Sequence, residues 1–156
     1  MTWGSPRVRD RDLWFDASSL FSPAIRCTVP PPCPFCQPDP ARLVSHGPLT
    51  RTIRDAFPVT PGHTLVVPNR HVSGLFELGE DELRAIWDEV ADVRRSLEHE
   101  FGVSAFNVGL NDGAAAGQTV PHAHVHVIPR RVGDVDDPRG GVRWVVPKTA
   151  AYWRNP

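Results

Sequence analysis

The sequence predicts one α+β domain, in which an antiparallel sheet of about five strands carries a helix, at about residues 80–101, on one face. Five runs of strand length are separated by turns that contain glycine or proline. One longer stretch instead repeats its apolar residues at three- and four-residue spacings, the period of an amphipathic helix. A chain of 156 residues suits a single hydrophobic core.

The first three predicted strands come early in the chain. Residues 42–46 (RLVSH) and 49–57 (LTRTIRDAF) flank Gly47 and Pro48, so we expect them to form a hairpin. After a proline-containing turn comes the apolar run HTLVVP, which ends at Pro68. Its length and continuous apolar character predict a buried central strand.

Two more strands follow the predicted helix. The helix ends at Gly102, because glycine favours the left-handed backbone of a C-cap. SAFNVGLN, at 104–111, is the fourth predicted strand, and HAHVHVIP, at 122–129, is the fifth. Between them, DGAAAGQT at 112–119 predicts a flexible loop. The apolar positions that define the helix are Leu83, Ile86, Trp87, Val90, Val93, Leu97 and Phe101.

The N-terminal segment differs from the rest of the chain. Residues 1–30 show no clear periodicity and lead into a proline-rich stretch, which is incompatible with a helix. We expect an N-terminal extension, most simply a mobile tail, followed by a domain over residues 31–156. A partner-binding arm or an extension docked on the domain are the alternatives.

Charge and hydropathy exclude several classes of protein. The net charge is −1, so no overall positive field would drive non-specific binding to nucleic acid. No run approaches the roughly 18 apolar residues of a membrane-spanning helix, and the charged N-terminus does not resemble a secretory signal. We therefore expect a cytoplasmic protein that binds neither nucleic acid nor membrane.

The cysteines suggest thiol or metal chemistry. Three cysteines are few for a chain of this size, and their odd number argues against a disulfide framework. Cys33 and Cys36 form a C-x-x-C pair that is compatible with half of a structural zinc site. Redox chemistry is the alternative for such a pair.

The strongest chemical signal is the alternation of histidine with apolar residues after the loop at 112–119. Because side chains alternate faces along a strand, His122, His124 and His126 are expected on one face. A polar strand face with solvated side chains would account for a single histidine, but it accounts poorly for three histidines in strict alternation. Such imidazoles can hold a catalytic Zn²⁺, or one can attack phosphorus while its neighbours orient it or protonate the leaving group. The loop can offer backbone N–H groups to an anion, which favours phosphate chemistry.

These residues resemble the histidine triad family, named for the pattern His-φ-His-φ-His-φ-φ, in which φ is apolar. The resemblance covers roughly residues 33–130, and includes AGQTVPHAHVHVIPR at 116–130, TPGHTLVVPNRHV at 60–72 and CPFC at 33–36. It implies the HIT-like fold, with a five-stranded antiparallel sheet and a long helix. It also implies a homodimer in which the two sheets join.

The resemblance implies a role for each triad histidine. His124, in the middle, would be the nucleophile that forms a covalent nucleotidyl-histidine intermediate, which water then hydrolyses. His126 would contact the phosphate and assist the leaving group, and His122 would have a supporting or ligand role. No catalytic metal is required in this scheme.

The resemblance also implies contacts with a nucleotide. Asp55 would bind the ribose, since a carboxylate can accept from both hydroxyls of a cis-diol. His63 would pack behind the triad, and Asn111, Gln118 and Thr119 would contact the phosphates and bridging atoms. Structural roles in a turn, a strand end and a strand are the alternatives for Asp55, Asn111 and Thr119.

A structural zinc is a further implication. In bacterial members with this C-x-x-C pair, Cys33 and Cys36 correspond to zinc ligands, together with His71 and His122. One metal would attach the proline-rich segment to the sheet beside the active site. If His122 binds zinc, it is not a catalytic acid.

Together these expectations predict an enzyme that hydrolyses an adenine nucleotide at its α-phosphate and releases nucleoside monophosphate. A dinucleoside polyphosphate and a nucleoside phosphoramidate are both candidate substrates, because both present the same α-phosphate. A nucleotidyltransferase with the same intermediate, a metallohydrolase and a non-enzymatic nucleotide-binding sensor are the alternatives.

Overall fold

Five strands form one antiparallel sheet in the order β1-β2-β3-β5-β4. The structure, a computed structural model, describes residues 33–154. The extension predicted at 1–30 therefore lies outside the described residues. The elements that build the domain are β1 (Leu43–His46), β2 (Thr50–Arg54), β3 (Thr64–Pro68), helix α1 (Glu80–Phe101), β4 (Ala105–Gly109), β5 (Val125–Arg130) and the short helix α2 (Pro147–Ala150).

The helix and the early strands match the prediction. β1 and β2 form the expected antiparallel hairpin, and β3 is fully buried in the middle of the sheet. α1 begins at Glu80, where the Glu82 side chain accepts a hydrogen bond from the N–H of Gly79 at 2.9 Å. It ends at Gly102, whose φ of 62° is the left-handed conformation expected of a C-cap.

The two faces of the sheet carry different layers. On one face, the apolar side of α1 packs on Val66 of β3 and on Val125 and Val127 of β5. In strand register, Leu65 of β3 pairs with His126 of β5, so both residues face away from α1. That second face holds a smaller apolar cluster of Phe35, Ile53, Leu65 and Val67.

The fifth strand is shorter than predicted. β5 begins at Val125, so His122 and His124 precede it, and only His126 belongs to the strand. The backbone departs from the ladder because the N–H of His122 donates to the carbonyl of Val120 at 2.8 Å, within a turn. The N–H of Ala123 then donates to the carbonyl of Val72 at 2.7 Å. Tertiary contacts, rather than strand alternation alone, therefore place the first two histidines.

Membrane spanning is not supported by any helix in the described part of the chain. None of the helices in residues 33–154 is long and apolar enough to cross a bilayer.

Candidate active site and metal centre

Two cysteines and two histidines converge on the sheet face opposite α1. The Sγ of Cys33 lies 3.4 Å from Nδ1 of His122, and the Sγ of Cys36 lies 3.3 Å from Nδ1 of His71 and 3.6 Å from that of His122. All four ligand atoms lie within 4.8 Å of one another. A sulfur and a nitrogen bound to tetrahedral zinc at ordinary bond lengths are separated by about 3.6 Å. The donor set and spacing therefore suit a closed Cys₂His₂ zinc site.

His122 is held in the form that a metal requires. Its side chain is completely buried, and its Nε2–H donates to the carbonyl oxygen of Pro68 at 3.0 Å. The lone pair is thereby left on Nδ1, the atom that faces the cysteines. Burial lowers the pKa of His122 to about 4, so the ring is neutral at neutral pH.

The candidate zinc site depends on the redox state of its cysteines. Cys33 and Cys36 must both be thiolates to bind the metal, so binding requires the reduced protein.

A buried arginine holds the C-x-x-C turn in place. Arg51 on β2 is 9% exposed, and its Nη1 donates to the carbonyls of Phe35 and Cys36 at 3.0 and 2.9 Å. Its Nε donates to Oδ1 of Asn69 at 3.0 Å. The planar fork of the guanidinium thus joins the turn to the sheet. Nothing in the local sequence distinguishes Arg51 from a solvated strand residue, so this contact was not predicted.

The ring of His124 is held by a backbone hydrogen bond. Its Nδ1 lies 2.8 Å from the carbonyl oxygen of His122, and only an N–H can donate to that acceptor. In the neutral ring the lone pair is therefore on Nε2. The ring is 6% exposed and packs edge-on against Phe35, with centroids 4.9 Å apart. A fixed tautomer with a free Nε2 is the form that a nucleophilic histidine requires.

His126 is connected to a buried histidine and a carboxylate. Nδ1 of His126 lies 2.9 Å from Nε2 of His63, and that Nε2 lies 3.5 Å from Oδ2 of Asp55. The N–H of Val59 donates to Nδ1 of His63 at 3.4 Å. Two imidazole nitrogens on one tetrahedral zinc would lie about 3.3 Å apart, so a spacing of 2.9 Å indicates a shared proton instead.

The histidine pair is uncharged at neutral pH. Burial, together with the neighbouring His124 and His63, lowers the pKa of His126 to about 4, although Asp55 opposes this shift. Burial also lowers the pKa of His63, against the opposing effect of Asp55.

Four of the eight N–H groups in the loop at 112–119 donate hydrogen bonds within that loop. Those of Ala116, Gly117 and Gln118 donate to carbonyls within the loop, and that of Gly113 donates to Oε1 of Gln118 at 2.8 Å. Nε2 of Gln118 donates to the carbonyl of Ser73 at 2.8 Å. The Gln118 side chain therefore joins the loop to the segment that carries His71, and we call this pair of hydrogen bonds the Gln118 latch. Sequence alone offered Gln118 as a direct phosphate contact and gave no sign of this latch.

The other predicted contacts are less constrained. Asn111 is half-buried just beyond β4, and Thr119 is exposed. No hydrogen bond among residues 33–154 joins either side chain to the triad. The structure thus brings together Asp55, His63, His124 and His126 in one cluster, and the predicted zinc ligands in an adjacent one.

The sequence of this chain is similar to those of two named enzymes. The bis(5'-nucleosyl)-tetraphosphatase [asymmetrical] of Schizosaccharomyces pombe is 46% identical over 80 residues, which are 51% of this chain and 44% of that protein. The AP-4-A phosphorylase of Mycobacterium tuberculosis is 36% identical over 125 residues, which are 78% of this chain and 61% of that protein. This chain therefore spans less than two thirds of either enzyme.

The fold is shared with solved structures. A Zn-bound histidine triad family protein from Mycobacterium smegmatis has a TM-score of 0.60 and 29% identity, covering 80% of this chain and 97% of that one. The HIT domain family matches residues 37–133, a range that includes all three triad histidines, His63 and His71. This chain belongs to the histidine triad (HIT) family.

Proposed function

We propose that this protein is a nucleotide hydrolase in which His124 attacks the α-phosphorus of an adenine nucleotide. The observation that carries the proposal is the 2.8 Å hydrogen bond from His124 to the carbonyl of His122, which leaves Nε2 with its lone pair. The likeness to a bis(5'-nucleosyl)-tetraphosphatase and an AP-4-A phosphorylase supports an adenine nucleotide as substrate.

The reaction has two displacement steps. In the first, a bond forms between Nε2 of His124 and the α-phosphorus, and the bond from phosphorus to the leaving group breaks. In the second, water attacks the same phosphorus, the bond to His124 breaks, and nucleoside monophosphate leaves as a proton is released. His126, whose ring centroid lies 5.0 Å from that of His124, donates a hydrogen bond to the phosphoryl or leaving-group oxygen.

The zinc has a structural role in this scheme. Cys33, Cys36, His71 and His122 would hold it in a closed tetrahedral site with no open position for water. The ion would fix the turn that carries Phe35, and Phe35 covers the ring of His124. This arrangement favours a structural zinc over the catalytic metal that we considered from sequence alone.

A second copy of the chain completes the proposed assembly. β4 is an edge strand of the sheet, paired only with β5 among the described strands. Pairing of two β4 edges would join the sheets and remove both free edges. Sedimentation equilibrium should therefore give twice the mass of one chain.

The proposal is tested by AMP release from adenosine phosphoramidate and from diadenosine tetraphosphate. Wild type, His124→Asn and a control, His99→Asn at an exposed position of α1, are measured side by side. We expect His124→Asn to lose at least about 1000-fold in kcat while still binding AMP, and His99→Asn to behave as wild type. Retained turnover in His124→Asn would contradict the proposal.

A transferase is the second candidate, because the AP-4-A phosphorylase matches 78% of this chain. Here the nucleotide would pass from His124 to inorganic phosphate instead of water. Added phosphate should then convert the product from AMP to ADP. A product that stays AMP at saturating phosphate favours the hydrolase, and nucleotide binding without turnover of either substrate favours a sensor.

A further inference from the structure

Asp55 is turned towards the protein interior. Its Oδ1 accepts from the N–H of Phe57 at 2.7 Å, and its Oδ2 lies 3.5 Å from Nε2 of His63. The carboxylate is 15% exposed, and the backbone N–H of Asp55 donates to the carbonyl of His63 at 3.0 Å. Both carboxylate oxygens therefore have neighbours in the connection between β2 and β3, in addition to any ribose contact.

The protonation of His63 follows from its neighbours. A backbone N–H can only donate, so the bond from Val59 requires Nδ1 of His63 to be unprotonated. The single proton of the neutral ring is then on Nε2, which donates it to Nδ1 of His126 at 2.9 Å, with the negative Oδ2 of Asp55 3.5 Å away. Since Nδ1 of His126 accepts this proton's hydrogen bond, His126 keeps its own proton on Nε2.

We infer that Asp55 is a positioning residue that acts together with the N–H of Val59 to hold the tautomer of His63, and through His63 makes His126 a hydrogen-bond donor at the phosphate. This inference rests on the proposed function and extends it. An Nε2–H at His126 stabilises charge that develops on phosphoryl oxygens, whereas the opposite tautomer would turn a lone pair towards an anion.

Asp55→Asn is a sharp test because of the bond to Phe57. The amide oxygen keeps the acceptor position facing that N–H, so the amide NH₂ takes the place of Oδ2. An N–H donor then faces the Nε2–H of His63, and we expect this repulsion to outweigh the long 3.4 Å contact from Val59 and to drive the proton of His63 to Nδ1. His126 must then donate from its own Nδ1, and its Nε2 loses the proton.

A matched control exists at Asp39. Its Oδ1 accepts from the N–H of Ala41 at 2.9 Å, the same i to i+2 contact that Asp55 makes with Phe57, but at an exposed site. Asp39→Asn should leave histidine tautomers and kinetics at wild-type values.

Kinetics separate this role from ribose binding. We expect Asp55→Asn to lower kcat about 10-fold to 100-fold on a ribonucleotide substrate, and equally on its 2',3'-dideoxy analogue. A residue that acts only on the ribose would lose its effect on the dideoxy analogue, and that result would overturn the inference. The effect of Asp55→Asn should also disappear in a His63→Gln background, and full additivity of the two substitutions would overturn it.

A readout without turnover keeps this inference separate from the proposed function. Two-bond ¹H–¹⁵N spectra of the histidine rings report which nitrogen carries the proton, with peaks assigned by His63→Gln and His126→Gln. We expect Nε2–H on both rings in wild type and Nδ1–H in Asp55→Asn. Unchanged tautomers in Asp55→Asn would overturn the inference. If wild type turns over neither substrate, the proposed function fails and these spectra alone decide the inference.

Discussion

The Nε2–H of His122 donates to the carbonyl of Pro68 at 3.0 Å, which points Nδ1 of the same ring at Cys33 and Cys36. Pro68 ends the central strand, so the sheet itself fixes the orientation of this ring. The first triad histidine is thereby directed to the candidate metal site, and in the proposed mechanism His124 and His126 remain for catalysis.

We predict that the reduced protein binds one zinc and that Cys33→Ser abolishes stoichiometric binding. A hydroxyl is a far weaker zinc ligand than a thiolate, and binding free energy at a structural site contributes to folding. Metal content after dialysis and the thermal unfolding midpoint measure both effects. His124→Asn, next to the cluster but outside the ligand set, should retain zinc. Full zinc content in Cys33→Ser would refute the assignment.

Arg51→Met should destabilise the protein by about 2 kcal/mol, because it leaves the buried carbonyls of Phe35 and Cys36 without their donor. Urea unfolding gives the free energy. Arg51→Lys should recover only part of the loss, since an ammonium lacks the planar fork. Arg84→Met on the exposed side of α1 serves as control and should change stability little.

Stability should fall as pH drops from about 6.5 to 4. The pKa of His126 is lowered to about 4, and that of His63 is also lowered, whereas both rings titrate near 6.5 in the unfolded chain. In this window the unfolded chain binds protons that the folded chain does not, so the free energy of unfolding decreases towards acid. His126→Gln should lower, by about one, the number of protons taken up on unfolding in this window. The pH dependence of the unfolding free energy in urea measures that number.

The contribution of zinc loss at low pH is common to wild type and variant, so the difference between their slopes isolates His126. His99→Gln, at an exposed position, provides the comparison and should keep the wild-type slope. Equal slopes for wild type and His126→Gln would be inconsistent with a buried, neutral His126.

Gln118→Ala should loosen the loop after β4, because the substitution removes the contacts to Gly113 and Ser73. We expect faster hydrogen exchange at residues 113–118 and about 10-fold lower kcat/KM, with zinc content unchanged. Gln118→Glu keeps the acceptor for Gly113 and should slow exchange there relative to Gln118→Ala. Wild-type exchange in Gln118→Ala would argue against the latch.

The sequence by itself determined the local elements and the family, and it named the candidate site residues. The period of its apolar residues and the glycine after Phe101 predicted α1 over the residues that form it, because both signals come from near neighbours. The order of turns and apolar runs likewise predicted the hairpin and the central strand. The HIT motif named the histidines before any contact was known.

The tertiary structure decided what each residue touches. Cys33 and His122 are separated by 89 positions and meet through tertiary contacts, among them those of Pro68 with His122 and of Val72 with Ala123. Strand alternation placed the three histidines on one face, but packing gives each ring a different partner: Cys33 and Cys36 for His122, the carbonyl of His122 for His124, and His63 for His126. Periodicity records only near neighbours, whereas tautomers and ligand geometry depend on partners distant in sequence.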